Sequence, residues 1–117
     1  MSRSVSSNQL AMFMPAHEIA KMKLGDTRKG ETNEQTLARK LKSAKADEWE
    51  ESKGMYESIK KIGVQKPVEL VHSKKESFLG EGHHRLASAM DVNPNMLLPV
   101  EHHYLTAIRP DGSKEHI

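Results

Sequence analysis

The sequence contains no cysteine, and this absence removes several kinds of chemistry at once. Without thiols the chain can form no disulfide, no thiolate zinc site, no iron–sulfur cluster and no cysteine nucleophile. A chain without cysteine suits a reducing compartment, so we expect a cytoplasmic location. Long hydrophobic runs are missing as well, since no stretch of about 18 apolar residues occurs, and we expect no membrane partner.

The amount of apolar sequence and the net charge are both modest. The chain has 117 residues, of which 36% are hydrophobic and 29% are charged. This length fits one domain, and the composition is not polar enough to predict a disordered chain. The formal net charge is +2, which is compatible with nucleic acid but does not require it.

The sequence predicts one domain between two polar ends. Residues 1–9 are rich in serine and are typical of a flexible N-terminal arm. Residues 10–108 are predicted to form the single domain, and residues 109–117 a polar C-terminal tail. Helical spacing and capping signals predict helices that begin near Pro15, at Thr32, near Gly54 and after residues 80–85. Strands are predicted near residues 12–14, 68–71, 77–79 and 97–100, so the fold class is α/β.

Basic side chains line the second predicted helix, and an acidic run follows it. The basic residues are Arg39, Lys40, Lys42 and Lys45. Such patterning is typical of a solvated helix face, and the alternative is a weak, salt-sensitive contact with DNA. Trp49 lies inside the acidic run, and as the only tryptophan it is interpreted as a packing anchor rather than a binding surface.

The most informative segment is Gly80-Glu81-Gly82-His83-His84-Arg85, which joins a predicted strand to a predicted helix. Gly80 and Gly82 let the backbone approach a ligand closely, and the first amides of a helix favour anions. Arg85 and the two histidines can donate hydrogen bonds to phosphate oxygens. The segment therefore predicts a phosphate site, with a purely structural glycine turn as the alternative.

The stretch Tyr56–Ala89 resembles the core of the ParB N-terminal-like/sulfiredoxin superfamily. The residues that carry the resemblance are Ser58-Ile59, Gly63-Val64, Pro67-Val68-Glu69-Leu70, Phe78-Leu79 and Gly82-His83-His84-Arg85-Leu86-Ala87. Residues 14–24 and 98–100 look similar to small stand-alone members encoded by tailed phages. The resemblance implies a small mixed sheet with three or four helices, located in the host cytoplasm if the chain is phage-encoded.

The resemblance also implies a nucleotide triphosphate, CTP or ATP, with Mg²⁺ as a possible companion. Carried over by position, the phosphates would be held by the glycine–arginine turn, which comprises Gly80, Gly82, His83, His84 and Arg85. Ser58, Gln65 and Lys66 would lie near the nucleotide, and Glu81 or Glu69 would position the cation. Two histidines replace an acidic residue and an arginine of the usual ParB pattern. Sulfiredoxin activity is excluded, because its reactive cysteine is absent.

Seven histidines, including two adjacent pairs, offer possible metal ligands. Because neighbours on a strand point to opposite faces, we expect one histidine of each pair to face inward, with Glu81, Asp91 or Glu101 as partner. The first functional hypothesis is a nucleotide-binding module acting in nucleic-acid metabolism or on a host protein, with slow hydrolysis possible. The alternatives are a metal-dependent nuclease using His83 or His84, and a non-catalytic module that inhibits a host factor.

Overall fold

The computed structural model describes residues 12–117, so the predicted arm over residues 1–9 lies outside the described residues. The helices are α1 (Ala16–Ile19), α2 (Asn33–Lys45), α3 (Met55–Ile62) and α4 (His83–Val92), with a 3₁₀ turn at Glu50–Ser52. The strands are β1 (Phe13–Pro15), β2 (Lys23–Leu24), β3 (Val68–His72), β4 (Ser77–Glu81), β5 (Leu97–Tyr104), β6 (Thr106–Ile108) and β7 (Lys114–His116). None of the described helices has the length and apolar character needed to cross a membrane.

Five strands form one mixed sheet in the order β1-β5-β3-β4-β2. β5 runs parallel to β3 and β2 runs parallel to β4, whereas β1 is antiparallel to β5 and β3 is antiparallel to β4. This sheet and the four helices confirm the predicted α/β class. The central pair β3 and β4 is a hairpin, so the turn that leads into α4 starts from the middle of the sheet.

The core lies between one face of the sheet and α4. Val68 and Leu70 of β3, Leu79 of β4, and Leu98 and Val100 of β5 are all buried on that face. Helix α4 packs against β3 and contacts α1, α2 and α3. It buries Leu86 and Ala89 in the same cluster, together with Ile19, Leu24 and Ile59. Helix α4 is therefore held from several sides, which fixes the position of its first residues.

Helix α2 begins where the sequence predicts. The Thr32 hydroxyl accepts a hydrogen bond from the Gln35 amide (3.1 Å), and the Gln35 side-chain oxygen accepts one from the Thr32 amide (2.9 Å). This reciprocal pair satisfies two amides that a helix start otherwise leaves unpaired. The capping box is confirmed.

The C-terminal residues differ from the polar tail predicted over residues 109–117. Strand β7 lies within this segment and pairs antiparallel with β6. The turn between them is closed by the Arg109 amide, which donates to the Ser113 carbonyl (2.8 Å), and Gly112 adopts a positive φ of 88°. A turn of this kind allows two short, largely exposed strands to pair without forming a core, so composition alone does not reveal the hairpin.

Candidate functional site

The predicted phosphate turn is a direct junction between β4 and α4, with Gly82 as the single residue between them. Gly82 has φ 105°, a conformation that L side chains rarely adopt. A Cβ at this position would lie 2.6 Å from Cγ1 of Val68, closer than real contacts allow. Both the backbone angle and the packing against β3 therefore require glycine here.

The first turn of α4 presents backbone donors that no described side chain caps. The first backbone bond of the helix runs from the Leu86 amide to the Gly82 carbonyl (2.8 Å), which leaves the amides of residues 83–85 ahead of it. The first turn also holds no acidic residue. These donors lie at the positive end of the helix dipole, where an anion is stabilised.

A cleft of about 320 Å³ opens at this turn, and we call it the α4 cleft. It is lined by Asp26, Trp49, Met55, Lys66, Glu81, Gly82, His83, His84 and Arg85. An adjoining cleft of about 330 Å³ shares Met55, Lys66 and Arg85 with it and is also lined by Ser58 and Gln65. The structure thus brings seven of the eight predicted phosphate-site residues to two adjoining clefts.

Gly80 is the predicted site residue that does not line either cleft. It lies at the irregularity where β4 shifts its pairing with β3, between the pairs Glu69–Glu81 and Leu70–Leu79. A Cβ on Gly80 would meet Cγ2 of Val71 at 2.9 Å. Glycine at this position lets the two strands approach each other.

Arg85 is the side chain that points most clearly to a ligand. Its Nη2 donates to the Pro67 carbonyl (3.0 Å), which holds the guanidinium between α4 and the start of β3. Its Nε is buried and has no hydrogen-bond partner among the described residues. Burial lowers the pKa of Arg85, and Glu81 and Glu69 partly offset that effect. Because arginine stays charged in proteins, the buried Nε of Arg85 is a donor of a cation that still lacks an acceptor among the described residues.

His83 is almost fully buried, with 2% of its surface exposed, and is bound to the loop before α2. Its Nε2 accepts a hydrogen bond from the Asp26 amide (3.1 Å), so this nitrogen carries no proton. Its Nδ1 lies 3.4 Å from the Asp26 carboxylate. Burial is the main cause that lowers the pKa of His83, and Asp26 opposes it. At neutral pH His83 is therefore a neutral ring that positions the turn.

The His84 ring packs against the Trp49 ring in a tilted arrangement, with ring centroids 4.4 Å apart and an interplanar angle of 57°. Trp49 is held by the 3₁₀ turn, because the Ser52 hydroxyl donates to the Trp49 carbonyl (2.7 Å) and accepts from its amide (3.2 Å). Trp49 is predicted to be a packing anchor, but it is not part of the buried core cluster, and it lines the α4 cleft. The only available signal was a lone tryptophan in an otherwise charged run.

Both histidines of the first pair line the α4 cleft, contrary to the expectation of one inward residue per pair. The expectation applied strand geometry, whereas His83 and His84 open a helix, where neighbours are about 100° apart rather than opposite. The second pair does lie on a strand. His102 contacts His72, and His103 contacts Glu101, on opposite faces of β5 as expected.

The four predicted basic residues of α2 are divided between two places. Arg39, Lys40 and Lys42 line a further cleft of about 370 Å³ that also contains Arg28 and His84. Arg39 binds Glu31 through two nitrogens (both 2.9 Å), and Lys40 binds the Asp26 carboxylate (2.7 Å). Lys45 instead pairs with Asp91 (3.5 Å) and lies over the Tyr56 ring. The four residues do not form one continuous stripe.

The predicted cation ligand Glu81 lines the α4 cleft, but it is not part of the group of possible metal ligands found in the described residues. That group comprises Glu69, Glu101 and His103, on β3 and β5. Glu81 and Glu69 are the two acidic residues predicted for the cation. Only Glu69 lies next to other possible ligands in this group. His103 was considered at the sequence level only as one member of a pair.

Comparison with known proteins does not identify a family. No family model matches the chain, and no curated protein and no solved structure matches it either. The resemblance to the ParB N-terminal-like/sulfiredoxin superfamily therefore stays a prediction.

Proposed function

We propose that the α4 cleft binds the phosphate group of a nucleotide or of another small phosphorylated molecule. The observation that carries the proposal is the buried Nε of Arg85, which has no partner among the described residues and lies beside an uncapped helix start. A phosphate oxygen would satisfy that donor and the first amides of α4 together.

The other residues of the cleft support a phosphate rather than a neutral ligand. Lys66 lines both adjoining clefts with Arg85, so an anion there would meet two cationic side chains. Neutral His83 positions the turn through its contacts with Asp26 and brings no buried charge to the cleft. The acidic side chains Asp26 and Glu81 also line the cleft, which is where a Mg²⁺ ion accompanying a triphosphate would find oxygen ligands.

The tilted aromatic pair of Trp49 and His84 supports a nucleotide among phosphorylated ligands. It presents aromatic ring surface at the wall of the cleft, and nucleobases stack on such surfaces. The cleft volume of about 320 Å³ lies at the low end of the range for small-molecule sites, and the adjoining cleft extends it. The predicted roles in nucleic-acid metabolism and in modulating a host protein stay predictions.

A thermal-shift series with ATP, CTP, GTP and pyrophosphate, each with and without Mg²⁺, tests the proposal. A ligand at about 100 times its Kd adds about 2.7 kcal/mol to the free energy of unfolding, which raises Tm by several degrees for a chain of this size. We expect a shift with at least one nucleotide. A shift with pyrophosphate as well would locate the recognition at the phosphates.

Two variants and one control locate the binding. Arg85→Ala removes the unpaired donor, and Lys66→Ala removes an exposed cation of the same cleft with little risk to folding. Both should reduce the shift, whereas Lys114→Ala, an exposed lysine on β7, should retain it. The proposal fails if no phosphate ligand shifts Tm, or if the shift survives unchanged in both cleft variants.

A further inference from the structure

Three glutamates lie side by side across the centre of the sheet, on the face away from the core. Glu69 of β3 is the register partner of Glu81 on β4 and of Glu101 on β5. Direct partners on neighbouring strands project to the same face, and like charges placed opposite each other destabilise a sheet. Val68 and Leu70, on either side of Glu69, are buried on the opposite face. The arrangement therefore concentrates negative charge at one place.

His103 brings a nitrogen to this row. It follows Glu101 by two residues on β5, so its side chain shares the same face. Its Nε2 lies 2.8 Å from a Glu101 carboxylate oxygen and 3.3 Å from a Glu69 carboxylate oxygen. One ligand atom of each of these three residues lies within 4.8 Å of the others. The group is thus a mixed nitrogen–oxygen set and not a purely acidic patch.

The two distances from the His103 nitrogen are close to those between ligands that share one metal ion. With bonds of about 2.0–2.1 Å, two ligands of a tetrahedral ion are about 3.3 Å apart and two ligands of an octahedral ion about 2.9 Å apart. The two nitrogen–oxygen distances match these values. An imidazole nitrogen with two carboxylates suits a first-row transition ion such as Zn²⁺, whereas Mg²⁺ and Ca²⁺ prefer oxygen alone.

We propose that Glu69, Glu101 and His103 bind a divalent transition-metal ion, with Zn²⁺ as the reference ion. Two adjacent parallel strands supply the ligands, and the pairings Glu69–Glu101 and Val71–His103 fix their relative height. Strand β3, which carries Glu69, is bonded on both edges, and Glu101 and His103 of β5 lie within its pairing with β3. The three side chains are 40–56% exposed, which leaves coordination positions for water or a substrate group.

The short distances between His103 and the two carboxylates have a second explanation, in which a proton on the imidazole takes the place of the metal. A protonated His103 forms ion pairs with both carboxylates at the same distances, and it offsets part of the same repulsion. The two accounts differ in one measurable respect. A metal site takes up Zn²⁺ and loses affinity when one of its ligands is replaced. A contact that only stabilises the sheet requires no Zn²⁺ uptake by these three residues.

Isothermal titration of the full chain with Zn²⁺ tests the proposal, because it needs no knowledge of activity. We expect one site that depends on Glu101 and His103: Glu101→Gln and His103→Gln should each weaken binding at least tenfold. The matched controls are His72→Gln, whose ring contacts His102 and none of the three ligands, and Glu115→Gln on β7. Both controls should bind Zn²⁺ like the parent chain.

Nuclear magnetic resonance of the histidine side chains provides the second measurement. Sub-stoichiometric Zn²⁺ should perturb the His103 imidazole before the others, and circular dichroism should show that each variant is folded. The proposal is overturned by an absence of Zn²⁺ binding near neutral pH. Binding that is unchanged in Glu101→Gln and His103→Gln, or that is lost in His72→Gln, overturns it as well. These outcomes are separate from the nucleotide test, since none of the three ligands lines the α4 cleft.

Discussion

Gly82 is the residue on which the candidate site depends most directly. Replacing it with alanine places a Cβ 2.6 Å from Val68 and holds a non-glycine residue at φ 105°. Left-handed strain and overpacking each cost about 1–3 kcal/mol, so Gly82→Ala should reduce the free energy of unfolding by about 3 kcal/mol. Urea denaturation measures this loss. Phosphate affinity should fall as well, because relief of the contact moves the start of α4.

Gly30→Ala is the matched control for this substitution. Gly30 also has a positive φ, 84°, but a Cβ there would meet no atom within 4 Å. Its cost should therefore be only the backbone strain, about 1 kcal/mol. Equal costs for the two variants would contradict the role assigned to the contact between Gly82 and Val68.

At the same scale, the sequence predicts which residues of the turn line the cleft but not which distant residues they contact. His84 and Arg85 were expected to bind phosphate, and they do line the cleft. His83 is buried against Asp26, 57 positions earlier in the chain. Trp49 meets His84 in a similar way. Such contacts depend on how distant segments pack, and local spacing contains no information about them.

At the scale of elements, the capping box of α2 is a testable stabilising feature. Thr32→Ala removes the hydroxyl that accepts from the Gln35 amide, and loss of such a cap costs about 1 kcal/mol. We expect a reduction of that size in the free energy of unfolding, measured in urea. Thr32→Ser keeps the hydroxyl and should restore most of the stability. A Thr32→Ala variant as stable as the parent would show that the box contributes nothing.

Elements with strong local signals were predictable, and elements defined by pairing were not. Helix α3 lies between Gly54 and Gly63, both at positive φ, and its limits agree with the prediction. Strand β2 has only two residues and exists because Lys23 and Leu24 pair with β4, more than 50 positions away. Strand β7 likewise depends on pairing with β6. A short polar segment becomes a strand when a partner is present, which a sequence window does not reveal.

At the scale of the whole molecule, strand order was outside the reach of the sequence pattern. The central position of β3 follows from a hairpin with β4 and a parallel pairing with β5, which joins segments about 30 residues apart. That parallel pairing is what places Glu69 beside Glu101. The α/β class was predictable from alternating strands and helices, whereas the glutamate row required the register itself.

Acid sensitivity of the whole fold follows from groups that join the loop of residues 25–32 to α2 and α4. Glu31 accepts hydrogen bonds from Arg39, the Arg28 amide and Thr36, and these contacts, with Arg39 first, lower its pKa from 4.5 to about 2. A carboxyl with a depressed pKa stabilises the folded state above its unfolded value. That stabilisation is lost as the pH falls from about 4.5 towards 2.

His83 contributes a loss of stability that also occurs as the pH falls but begins at a higher pH. Burial lowers its pKa below 6.5, so the folded state favours the neutral ring. Its stabilising effect is complete above the unfolded value and decreases once the pH falls below about 6.5. Urea midpoints measured from pH 8 to pH 2.5 should therefore decline in two stages, the first due to histidine and the second to carboxylates.

The variant Glu31→Gln separates the second stage from the first. It should lower the urea midpoint at pH 7, because the charged contacts with Arg39 are lost, and it should flatten the decline below pH 4.5. The first stage, which begins near pH 6.5, should remain. Glu34→Gln, an exposed position in the first turn of α2, should leave both stages intact. A decline below pH 4.5 that is as steep in Glu31→Gln as in the parent chain would remove Glu31 as its cause, and the loss would then belong to other carboxylates with a depressed pKa, such as Asp26 and Asp91.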